Sequence, residues 1–224
     1  MSVWETILSG QGFWAVAGSV VGAICGWLLS GLSESRAYNK KIKRNKKALL
    51  HELDDILEAL TDAEICYEYM IKMYALGGVP GYAPPTISNP IFKNFYIETM
   101  LDLPASQCKS YELIDLQLSY VNQDIARIAD FIASKKEDPD SVLEDWEGIL
   151  RPACHNVRMT LWHVNYHLNN KAFPSLKHWT KEHQQMLEEY KTAPSKVDEL
   201  IEYAQENMSR SDFEFDGVTP VAIK

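Results

Sequence analysis

Between Phe13 and Leu32 the chain has no charged residue at all, only the run FWAVAGSVVGAICGWLLSGL. Its four cysteines (Cys25, Cys66, Cys108, Cys154) lie far apart and form no Cys-x-x-Cys pair. That spacing excludes a compact disulfide framework and reads as free thiols in a reducing compartment. Phosphate-cradling loops of the G-x-x-x-x-G-K-[ST] or G-x-G-x-x-G type are missing, as is a G-x-S-x-G elbow, so nothing points to nucleotide chemistry or to an acyl-transfer nucleophile. Glu-x-x-His does not occur, which removes the usual carboxylate-bridged dimetal signature of helical proteins. Neither strand-like alternation nor an internal repeat is visible, so the expected fold class is all-α.

The uncharged run rises about 30 Å as a helix, the thickness of the bilayer hydrocarbon. Seven of the 22 basic residues follow it directly: Arg36, Lys40, Lys41, Lys43, Arg44, Lys46 and Lys47. Only Glu5 is charged among the residues before it, so the positive-inside bias predicts one transmembrane helix with the N-terminus outside and the body in the cytoplasm. A secretory signal would need a basic stretch ahead of a shorter apolar run. Trp4 and Trp14 suit the outer interface and Tyr38 the inner one. The lipid bilayer is therefore the first expected partner, with the basic block fixing topology and holding anionic headgroups. Gly18, Gly22 and Gly26 recur every four residues and Ser30 continues the row, a packing face suited to self-association or to another membrane protein.

The remainder is acidic. Residues 48–224 carry 15 basic and 29 acidic side chains, so no nucleic-acid partner is expected. Residues 33–75 contain neither proline nor glycine, and Leu49, Leu53, Ile56, Leu60, Ala63, Tyr67, Met70 and Tyr74 form a heptad row along them. Such a row pairs two copies as a coiled coil or faces the rest of its own domain; its tyrosines and alanine favour the second. GGVPGYAPPTISN (77–89) reads as a turn-rich connection, with Asn89 capping a short helix that opens on Pro90. A second row, Tyr111, Ile114, Leu118, Val121, Ile125, Ile128 and Ile132, predicts a long helix over 106–135, antiparallel to the first in a cytoplasmic helical bundle.

Ser141 and Glu144 have capping-box spacing for a helix reaching 169, with a core row Leu143, Trp146, Leu150, Ala153, Val157, Leu161, Val164 and Leu168 and a kink or split at Pro152. Its other side carries His155, Met159, Trp162, His163 and Tyr166, of which Met159, Trp162 and Tyr166 suit a partner surface. Two further helices, 175–191 and 195–208, would cover that side, the second capped by Ser195 and Asp198. The resulting organisation is a short external segment (1–12), the spanning helix (13–32), a basic juxtamembrane helix (33–48), a helical cytoplasmic domain (49–208) and a flexible tail (209–224).

His163 and His167 have H-x-x-x-H spacing but lack the glutamate a zinc protease would place between them, so ordinary packing histidines are expected and no metal or cofactor. Three functions compete at this level. The first is a single-pass anchored protein acting through protein-protein contacts, as scaffold, regulator or stress and defence component. The second is a membrane-perturbing effector that oligomerises through the glycine row, and the third is a hydrolase with a metal on His163 and His167. Nothing marks the chain as an enzyme.

Overall fold

The computed structural model describes residues 10–137, 146–171, 180–209 and Asp212. Trp4, the proposed Ser141–Glu144 cap, the start of a helix at Ser175 and the tail beyond residue 212 lie outside them. All elements of the described residues are helical: α1 (Gly10–Ala75), α2 (Pro90–Thr99) with a 3-10 turn after it (Met100–Asp102), α3 (Ala105–Glu137), α4 (Trp146–Asn169) and α5 (Lys181–Asn207). The chain divides into two compact units, Met1–Lys47 and Ala48–Lys224, with the boundary inside α1.

In the first unit α1 is long and apolar enough to cross a membrane. Trp14, Trp27 and Leu29 are 73%, 76% and 67% exposed, so these large apolar side chains lie outside any core.

The second unit is built on the periodic rows. Every member of the Leu49-to-Tyr74 row and of the Tyr111-to-Ile132 row is buried, and they share one core with Leu150, Ala153, Val157 and Val164 of α4. The first row is thus covered by the chain's own body. Each buried leucine or isoleucine in such a core contributes roughly 1.5–3 kcal/mol over its exposed state. Helix α3 packs on α4, and α4 on α5.

The proline-rich segment before α2 is tied down by side chains distant in sequence. Asn122 receives the Ile87 N–H at 2.8 Å and donates to the Ile87 carbonyl at 2.8 Å. The expected Asn89 cap does not form: its side chain donates to Asp115 instead, at 2.6 Å. Glu52 of α1 supplies the cap, accepting from Ile91 N at 2.5 Å and Phe92 N at 2.7 Å. Pro90 occupies the first turn, where its missing N–H costs nothing.

Two further expectations are corrected. Residues 181–207 form one helix with Pro194 inside it, in place of two helices meeting near residue 195. The Ser195 hydroxyl donates to the Thr192 carbonyl and Asp198 pairs with Arg151 at 2.7 Å, so neither serves as a cap. Thr180 is the cap, accepting from His183 N. Helix α4 likewise continues through Pro152, so the chain is not split into two helices there.

Candidate functional site

Arg158 is the only formal charge on α4 from Pro152 to Asn169, and it decides how this helix meets α1. Its Nε donates to Glu64 at 2.7 Å and its Nη2 to Glu68 at 3.3 Å, with the arginine side chain only 15% exposed. Two carboxylates one helical turn apart on α1 thus receive one guanidinium, which fixes the register of α4 against that helix. Beside this pair opens a cleft of about 310 Å³, bounded by Thr61 and Glu64 of α1, by Met159, Leu161, Trp162 and Asn165 of α4, and by Glu189 and Lys196 of α5.

The three residues expected to form a partner surface do gather on one side of α4, each half-buried. Trp162 stacks on Tyr166 with ring centroids 5.1 Å apart and planes 9° apart. His155 meets Tyr190 of α5 edge to face at 4.4 Å. Helix α5 therefore covers part of this side and leaves the Met159–Trp162 portion facing the cleft.

His163 is buried at 8% exposure, edge-on to Trp162 at 5.2 Å. Helix α4 packs on both α3 and α5, so two of its sides are interior, in line with its apolar residues on both sides. His167 is fully buried, with Nδ1 2.8 Å from the Ser110 hydroxyl and its ring 4.4 Å from that of Tyr111. Burial lowers both imidazoles to about 4, Lys171 adding to the effect at His167. Among the described residues no group of three His, Cys, Asp or Glu side chains converges as a metal site would require. Burial also pushes the Cys154 thiol up to about 12, which leaves it without thiolate at neutral pH.

In the first unit a Cβ placed on Gly18, Gly22 or Gly26 would meet nothing within 4 Å, so the row is open for another backbone to approach. The Ser30 hydroxyl donates to Glu34 one turn on. Arg36, Lys40, Lys41, Lys43, Arg44 and Lys47 are exposed and Lys46 is half-buried.

Sequence reasoning missed the buried polar groups that hold the second unit together. Glu52, Ser110 and Asp124 are each 6% exposed. Each immediately precedes a residue of a core row (Leu53, Tyr111, Ile125), and that flanking position was the available signal. No family model, curated protein or solved structure matches the chain.

Proposed function

We propose that the protein is a single-pass anchor for the cell membrane whose helical body, an antiparallel bundle on the cytoplasmic side, acts by contacting other proteins. One observation carries the membrane part: the candidate span keeps its apolar side chains outside any protein core, and hydrocarbon is the surrounding that makes such exposure favourable. Ser110 meeting His167, and Asp124 meeting Asn156 at 2.7 Å, support opposed directions for α3 and α4. The basic block supports the inward orientation of the body, with each charge contributing about 1 kcal/mol of attraction to an anionic leaflet.

The membrane reading requires the protein to stay in the pellet after carbonate extraction. An impermeant maleimide applied to intact cells should label Ser2→Cys and leave a cysteine appended after Lys224 unlabelled. Release into the supernatant would remove the anchor; the reverse labelling would invert the topology.

The open glycine row supports a reading in which the span associates helix to helix into a dimer or larger assembly in the bilayer. Replacing Gly18, Gly22 and Gly26 together by isoleucine is expected to lower the crosslinked fraction on the order of tenfold, the effect of about 1.4 kcal/mol. Unchanged crosslinking would assign assembly to the body. The Ser19 hydroxyl is bonded to the Val16 carbonyl within the helix, which disfavours a water-filled pore as the purpose of association.

A further inference from the structure

We propose that the cleft beside Arg158 docks a basic amphipathic segment of a partner protein; this rests on reading the chain as an interaction protein and gives its partner a chemistry. Trp162 and Met159 line the cleft, while Ile65 of α1 and Tyr190 of α5 are 61% and 53% exposed on two of the helices that wall it. Tryptophan, tyrosine, methionine and arginine are the residues that anchor protein contacts, because they present large rigid or adaptable areas with little entropy to lose.

Charge selects the occupant. Between Ala48 and Ala75, α1 carries seven acidic residues and one basic residue, and α5 carries seven acidic and three basic. The two cations at the cleft are already engaged, Arg158 by Glu64 and Glu68, and Lys196 by Glu189 at 3.4 Å. Asp54, Asp55, Glu58 and Asp62 remain exposed along α1. A segment with lysines or arginines beside an apolar stripe meets an attractive field on approach; its apolar side chain enters against Trp162, and its cations lie against the net acidic flanks of α1 and α5, where they compete with Lys196 for Glu189. An acidic segment is repelled by the net charge of both helices.

The test uses the full chain in neutral detergent and a fluorescent leucine–lysine amphipathic peptide, with its leucine–glutamate twin and protein-free micelles as controls. Anisotropy should show binding of the lysine peptide alone, weakening as salt rises. Trp162→Ala and Glu189→Lys should each weaken it about tenfold or more, the loss typical of an anchor residue. Glu189 is half-exposed and outside the core, so its reversal keeps the fold even where Trp162→Ala does not. Equal binding of both peptides, binding unchanged by Glu189→Lys, or a dimer that dissociates in Glu189→Lys would overturn the proposal, the last by assigning the cleft to a second copy. Carbonate extraction of the same variant separates this failure from that of the anchor: protein retained in the membrane that ignores the peptide loses only the docking site.

Discussion

Replacing Glu52 by alanine is expected to lower the unfolding free energy of the second unit by about 3 kcal/mol, a larger loss than most single substitutions produce. The carboxylate is 6% exposed and takes the N–H groups of Ile91 and Phe92, the first orphan donors of α2. Alanine leaves both donors without acceptors in a half-buried setting, each costing about 1–3 kcal/mol, and removes a negative charge from the positive end of a helix. Burial pushes the Glu52 carboxyl upward, with Asp55 and Asp115 adding to that, while the two N–H bonds pull it down. Glu52→Gln keeps one acceptor and turns an amide NH2 toward a donor, so it should fall between wild type and alanine. Urea unfolding followed by circular dichroism supplies the comparison, and amide exchange locates the damage in residues 87–99. Equal stability of Glu52→Ala and wild type would mean that solvent caps α2 as well as the carboxylate does.

That cap shows why part of the fold was readable and part was not. The rows on α1 and α3 need only local periodicity, because a stripe every 3.5 residues must be covered somewhere, and the residues at those positions are all buried. The flanking position of Glu52 hints at burial, but that it caps a helix beginning at position 90 leaves no local trace. Asn89 had the composition of a cap, yet Asp115 offers its amide a partner at 2.6 Å and draws it away. The same limit explains α5. Pro194 with Ser195 and Asp198 has every local mark of a helix start, but Arg151 on α4 engages Asp198 and the helix continues.

The candidate cleft was half legible. Met159, Trp162 and Tyr166 could be placed on one side of α4 from angular spacing alone, since 100° per residue brings i, i+3 and i+7 together. What faces them could not. The second wall of the cleft is Glu189 and Lys196, more than 20 positions further along, and the choice of Glu64 and Glu68 as partners for Arg158 spans about 90 residues. His163 sits next to Trp162 in sequence yet turns inward, where α4 is enclosed on a second side.

The two interior histidines make the body acid-sensitive. Both are held neutral, with folded values near 4 against an ordinary value of 6.5, so between those limits the unfolded chain binds more protons than the folded one. The stability contributed by these two groups must therefore fall as pH drops from about 6.5 toward 4, and neither contributes a slope above about pH 7. At 1.36 kcal/mol per unit, the pair removes up to about 5 kcal/mol between pH 7.5 and 4.5. Acidification also neutralises carboxylates on a strongly acidic body and relieves their mutual repulsion, an effect of opposite sign. A variant with His163→Leu and His167→Gln cancels that background: it keeps an acceptor for Ser110 and loses both titrations. The stability difference between wild type and variant should move against wild type through the pH 6.5–4.5 window and stay constant above it. A difference that does not vary with pH would show that both rings remain able to take up protons inside the fold, and would place α4 in water-accessible packing despite the 0% exposure of His167.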